Sequence, residues 1–230
     1  MTLNESSKLA WVKAYLSNEN SNNVTISYYN KGMLVSWMLD MEIMTNTNGV
    51  KRLDDVMRSL YKSYYVDKQR GFTYAEFVEA CSGVCRKSLE QFFNTYIKTT
   101  ENIPYSKYLD LTGFKLQDTP DAKPSLGIKT KNDNGKCIVS YIKPSGPAAI
   151  AGLSVNDELI ALNGWRINSD INTDIGGFEI GAKLNLQYAR DGKMQSTNII
   201  PTANDQVNYT VVPSESISKE QEKLRKLWLD

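Results

Sequence analysis

Tyr28-Tyr29-Asn30-Lys31-Gly32 places two phenols and an ammonium in one short run, directly before a long apolar stretch. A phenol donates one hydrogen bond and keeps its proton at neutral pH, so it can steady an oxygen without ionising. By residue type alone, a tyrosine at a helix start belongs to a core or an interface. Other residues that could do chemistry are few. The 230-residue chain has no histidine, and its three cysteines are Cys81, Cys85 and Cys137. Cys81 and Cys85 are four apart on an expected helix and share a face. With no histidine or further cysteine to complete a tetrahedron, they read as small buried hydrophobes rather than metal ligands. Their odd number rules out a complete intrachain disulfide framework. Asp133 to Gly135 lacks the carboxylate spacing of a calcium loop. Asp54 and Asp55 read as helix-start charges. No Gly-x-Gly element is placed to cradle a phosphate at a strand–helix junction. Asn23-Val24-Thr25 and Asn208-Tyr209-Thr210 match glycosylation acceptors, a pattern short enough to arise by chance.

Composition narrows the partners. Lys+Arg is 27 and Asp+Glu is 26, so no charge imbalance points to nucleic acid or an acidic lipid surface. No basic cluster interleaves with aromatics, which sets nucleic acid aside. The apolar fraction of 41% can supply real cores. No segment reaches the ~18 apolar residues that a membrane span needs. Met1 to Ser7 are polar, without the hydrophobic core of a leader; if Met1 is an added start codon, that says nothing of a longer parent.

The first half must position the tyrosines, and it reads as helices. Lys8 to Leu16 is an amphipathic segment with Leu9, Trp11, Val12 and Leu16 apolar. After the polar loop Asn18 to Asn23, Lys31 to Thr45 is apolar almost all round, the mark of a buried helix. Leu53 to Tyr65 repeats apolar residues at helical spacing. Thr73 and Glu76 match a capping box, for a helix running to about Cys81. Ser88 to Gln91 is a second capping pattern, ahead of Phe92, Phe93, Tyr96 and Ile97. A short helix from about Tyr105 to Leu111 closes the region before Gly113. The tail, Ser218 to Leu229, is charged with one apolar stripe (Leu224, Leu227, Trp228); it docks either on the chain's own domains or on something outside them.

From Phe114 the period changes. Asp118 to Lys123 reads as a linker or surface loop. Leu126 to Thr130, Cys137 to Ile142, Leu159 to Leu162, Lys183 to Arg190 and Ser196 to Ile200 are candidate strands, and Asn134-Gly135, Asn163-Gly164 and Asp191-Gly192 are turns. Pro144-Ser145-Gly146-Pro147-Ala148-Ala149-Ile150-Ala151-Gly152-Leu153, followed by Asn156-Asp157-Glu158-Leu159-Ile160 and Asn163-Gly164, resembles the PDZ domain of bacterial proteases. Pro147 suits a first helical turn and Gly152 a left-handed cap, and Asp157 is placed to tie down the next turn. The resemblance implies that a peptide's terminal carboxylate is held by a loop before one strand, and that the peptide adds as an extra strand. Ser125, Leu126, Gly127 and Ile128 occupy that place. They also read as a plain turn with a core leucine and isoleucine. The facing helix, Asn168 to Ile175, is short and polar.

The ordered set Tyr28 to Gly32, Leu53-Asp54-Asp55-Val56-Met57 and Gly71-Phe72-Thr73, with the β region behind it, resembles the C-terminal part of the glycyl aminopeptidase family (peptidase family M61). That family joins a gluzincin catalytic domain to a PDZ domain, and the resemblance covers residues 8 to 213. It implies zinc held by His-Glu-x-x-His and a later glutamate, and a tyrosine two residues before the lysine that donates to the oxyanion. By position this is Tyr29, and Tyr28 packs. Both zinc-ligand segments precede the tyrosine in the family, so they are expected upstream of Met1.

The expectations are therefore an α+β chain of two domains: a helical end of a catalytic domain over 1–113, a PDZ domain over 114–213 and an amphipathic helix over 214–230. The function expected is that of a C-terminal fragment of a zinc aminopeptidase, inactive alone, with no cofactor of its own and zinc in the full-length parent. Its partners would be the missing N-terminal catalytic region and a peptide or protein C-terminus in the groove. Analogy with the family makes it periplasmic or exported. The alternative is a stand-alone PDZ adaptor without catalysis.

Overall fold

The structure, a computed structural model, describes residues 1–168 and 170–229. Mixed helix and sheet are divided between two compact units. The first takes residues 1–16, 25–117 and the segment from Tyr209 onward; the second takes 17–24 and 118–208.

The first unit opens with α1 (Leu3–Lys8) and α2 (Ala10–Lys13), which break at Leu9. This differs from the helix expected from Lys8. Thr2 caps α1 in a full capping box with Glu5, and Leu3 and Ala10 face the interior while Trp11, Val12 and Leu16 stay exposed. Apolar count misplaced the helix because its most hydrophobic residues are not the ones it buries. Residues 21–24 of the second unit form the single turn α3 (Ser21–Val24).

α4 (Tyr28–Asn46) carries the core. Val35, Met38, Leu39, Met41, Ile43 and Met44 are all buried along it. Ser27 starts it, its hydroxyl accepting from the Asn30 N–H at 3.2 Å, so both tyrosines fall in the first helical turn. α5 (Leu53–Leu60) follows, capped by the Asp55 carboxylate on the Arg52 N–H at 2.9 Å, and widens into a π-helical turn over Tyr61–Val66. α6 (Tyr74–Cys85) has the expected Thr73–Glu76 box and buries both cysteines. α7 (Glu90–Lys98) starts later than the Ser88 pattern implied. Leu89 stands at its cap, 2% exposed, and its N–H donates to Ser82 Oγ at 3.1 Å. α8 (Tyr105–Asp110) buries Tyr108, whose hydroxyl donates to Glu42 Oε1 at 2.8 Å. Burial and that carboxylate hold the Tyr108 phenol well above its ordinary acidity range.

The Thr73–Glu76 cap predicts a pH response. Arg70 lies 2.6 Å from Glu76 Oε1 and the Thr73 N–H donates to Oε2 at 2.8 Å. The Arg70 bond first, and the Thr73 bond second, lower the Glu76 carboxyl from 4.5 to about 2. Its folded-state value is depressed, so its contribution is complete above 4.5 and is lost as pH falls through about 2. Thermal melting between pH 5 and 2 should drop partly for this reason, and Glu76→Gln should flatten that part of the curve. An unchanged pH profile in the variant would dismiss the assignment.

The chain then pairs β1 (Phe114–Pro120) with a late strand, described last, over residues first read partly as linker. β2 (Pro124–Ser125), β3 (Ile128–Asp133), β4 (Lys136–Ile142), α9 (Pro147–Ile150), β5 (Glu158–Leu162), β6 (Trp165–Arg166), α10 (Ile171–Asp174), β7 (Leu184–Arg190) and β8 (Lys193–Ile199) build the second unit. The sheet order is β3-β4-β5-β7-β8, with β6 on β5, so β3 is an end strand. β3–β4 and β7–β8 are hairpins through Asn134-Gly135 and Asp191-Gly192. These residues have φ of 52° and 83°, and of 50° and 76°, the left-handed pair such tight turns require. Of the expected helix over residues 168–175, Ser169 lies outside the described residues. The helix itself begins after Asp170, whose carboxylate accepts from the Asn172 N–H at 3.0 Å. Leu126, Val139, Ala148, Leu159, Ile171 and Leu186 lie in this unit's core.

β9 (Thr202–Ala203) pairs with β2, and β10 (Val207–Pro213) is the partner of β1. α11 (Lys219–Leu229) docks on the first unit, its Leu224 and Trp228 packed on the helical core. Arg52 Nη1 donates to the Leu227 carbonyl at 3.1 Å, Lys223 Nζ to the Asn48 carbonyl at 3.0 Å and Arg225 Nε to the Thr112 carbonyl at 2.7 Å. The apolar stripe of the tail is thus used within the chain.

Candidate functional sites

In the first unit, Tyr29 is 65% exposed at the start of α4. Tyr28 is half-buried against the helical core, and the two rings are 4.2 Å apart at their centroids. Both hydroxyls meet a third. Tyr15 Oη lies 3.2 Å from Tyr28 Oη and 3.1 Å from Tyr29 Oη. These bonds push Tyr28 above its ordinary value and Tyr29 below it, the Tyr15 bond being the largest cause in each. Lys31 is turned away, its ammonium donating to the Glu101 carbonyl at 3.2 Å. Tyr15 was not singled out from sequence; it lies in the Lys8 to Leu16 segment, where only Leu9, Trp11, Val12 and Leu16 drew notice.

A metal does not fit what is present. The chain has no histidine, and no group of three or more His, Cys, Asp or Glu is assembled among the described residues. Cys81 and Cys85 are buried, with thiols raised by burial, Cys81 to about 12. A thiolate ligand would need the opposite shift.

In the second unit, Ser125, Leu126, Gly127 and Ile128 form the loop into β3. Leu126 and Ile128 are 0% and 6% exposed, so their side chains belong to the core and only their backbone can serve a ligand. The Lys143 N–H donates to the Gly127 carbonyl at 2.7 Å and the Ala148 N–H to the Leu126 carbonyl at 3.0 Å. Those bonds clamp the loop from behind. Gly127 has φ +69°, a conformation that favours glycine, and a Cβ there would stand a tight 3.3 Å from Lys143 Cβ. Its N–H is already taken by Ser125 Oγ at 3.1 Å. A groove of about 390 Å³ lies along this loop, walled by Ile128 and Lys129 of β3 and by Asn172 and Gly176 opposite. β3 is the end strand, so its outer edge can take one more strand. Lys143 closes one end, ion-paired with Asp205.

Comparison with known proteins divides along the same line. Residues 1–35 match the model of the M61 glycyl aminopeptidase family, and residues 124–200 match that of the PDZ domain. A protein described as a probable periplasmic serine endoprotease DegP-like, from Pseudomonas fluorescens, is 31% identical over 91 residues, covering 38% of this chain and 19% of that protein. The carboxy-terminal processing protease CtpB of Bacillus subtilis is 26% identical over 133 residues, covering 55% of this chain and 26% of that protein. The chain therefore spans about a fifth to a quarter of the length of these relatives. Among solved structures, an aminopeptidase N family protein from Idiomarina loihiensis has the same fold, with a TM-score of 0.82 at 20% identity, over 97% of this chain and 40% of that one. No helix among the described residues is long and apolar enough to cross a membrane.

Proposed function

We propose that this chain supplies the oxyanion donor and the PDZ domain of a zinc-dependent aminopeptidase, and is inactive on peptides by itself. The observation that carries the reading is the M61 match over residues 1–35, which includes the Tyr28–Gly32 element at the exposed start of α4. Tyr29 is the donor: its hydroxyl would face the oxygen that gains charge as a peptide carbonyl is attacked. The zinc ligands of this reading belong to sequence outside these 230 residues. Export is part of the same reading, since the matched DegP proteins are periplasmic by name. The genomic reading frame tests it. A frame running upstream into His-Glu-x-x-His is expected, and a native stop directly before Met1 overturns it. Zinc bound in stoichiometric amount by the purified chain would also count against it.

The end-strand groove favours a second reading, a peptide-binding adaptor, and the groove serves either. A peptide carboxylate would take the Gly127 N–H from Ser125 Oγ, so Ser125 competes with the ligand. Ser125→Ala should tighten binding of a C-terminal peptide about fivefold, the worth of one ordinary hydrogen bond. Peptide titration followed at the Gly127 amide measures it. Weaker binding in the variant would mean that the hydroxyl contacts the ligand instead.

A further inference from the structure

Three phenols meet at one point on the first unit, and core burial does not explain it. Tyr15 is 54% exposed, Tyr29 is 65% exposed and Trp11, its ring tilted against that of Tyr15 with centroids 5.0 Å apart, is 77% exposed. Large aromatics held on a surface in a defined arrangement call for a reason beyond packing. The hydroxyls supply one. A phenol has a single hydrogen. If Tyr29 donates it to Tyr15, none is left for a substrate oxyanion. With the Tyr15 contact kept, Tyr29 donates outward when it accepts from Tyr15. Tyr15 then gives its own hydrogen to Tyr29, and its lone pairs accept the hydrogen of Tyr28. The two distances, 3.2 and 3.1 Å, fit such a chain.

We infer that Tyr15 is a positioning residue: its hydroxyl accepts from Tyr28 and donates to Tyr29, which leaves the one hydrogen of Tyr29 for the reacting oxygen. The inference rests on the reading of Tyr29 as the oxyanion donor. The opposite acidity shifts of the neighbours agree with this direction, since the donor at the head of the chain is raised and the acceptor at its end is lowered. The groups acting on Tyr29 are the Tyr15 and Tyr28 hydroxyls, and Lys31 is engaged at the Glu101 carbonyl. Each bond in such a row polarises the next, so Tyr29 is a better donor than an isolated phenol.

The test uses the 230-residue chain labelled with ¹³C at tyrosine Cζ, titrated by NMR, with Tyr15→Phe and Tyr28→Phe beside it. Tyr15→Phe should raise the titration midpoint of Tyr29 and leave the α4 amide signals in place. Tyr28→Phe should raise it less. An unchanged midpoint in Tyr15→Phe overturns the inference. In a longer, active protein carrying this chain, Tyr15→Phe should lower kcat about fivefold at unchanged KM, again one hydrogen bond. If Tyr29→Phe is harmless there, the donor reading itself fails. If Tyr29→Phe is damaging and Tyr15→Phe is silent in both assays, only the role of Tyr15 falls.

Discussion

Arg190→Ala should cost the second unit about 3 kcal/mol of folding stability, at the lower end of what a broken buried ion pair costs. Asp157 is 1% exposed. Arg190 Nε donates to its Oδ1 and Nη2 to its Oδ2, each at 2.8 Å, and the Ser154 N–H reaches Oδ2 at 2.7 Å. Nη2 also donates to the Gly152 carbonyl at 2.7 Å, so one guanidinium ties the end of β7 to both sides of the turn after α9. Removing it leaves a buried carboxylate with a single N–H. The arginine is about a third exposed, so the reverse change is milder. Asp157→Asn keeps the shape and returns Arg190 to water, at a cost of about 1–2 kcal/mol. Urea unfolding, followed by the amide signals of β5 and β7, separates this unit from the helical one. Equal losses in the two variants would show that the charge on the buried partner is not the cause.

That pair also marks how far the sequence could be read. Asp157 was legible as a turn residue, though its carboxylate ties the turn before it, at the Ser154 N–H three positions back, and not the next turn as expected. Its arginine, 33 positions on, was not. The same holds elsewhere. Asn134-Gly135, Asn163-Gly164 and Asp191-Gly192 were legible because a left-handed turn is decided by the residues in it. The Thr73–Glu76 box was legible for the same reason. The β1–β10 pairing was not, since its strands lie some 90 positions apart and are largely exposed, with little period-two signal. In the candidate site, Tyr29 was singled out by its place before Lys31. Tyr15 was not, because a hydroxyl contact between residues 13 and 14 positions apart leaves no periodic trace. It sits in the same stretch where exposed Trp11, Val12 and Leu16 drew the helix to the wrong place.

Tyr29→Phe carries the largest expected effect. In a longer protein that joins this chain to its zinc-binding region, kcat should fall about 10²–10³-fold, the usual loss for one oxyanion donor. KM should change little. A neutral substrate carbonyl gains little from a phenol held in advance for the charged oxygen, so the loss falls on the transition state. Phenylalanine keeps the ring on Tyr28 and removes only the hydroxyl, whose partner just after α2, Tyr15, stays bonded to Tyr28. With the side chain largely exposed, the variant of the 230-residue chain should unfold at an unchanged midpoint. That control separates a lost donor from a damaged fold. Tyr28→Phe should cost far less, because it acts through Tyr15. A Tyr29 variant within about threefold of the parent in kcat would remove the donor role and leave the groove beside β3 as the working part of this chain.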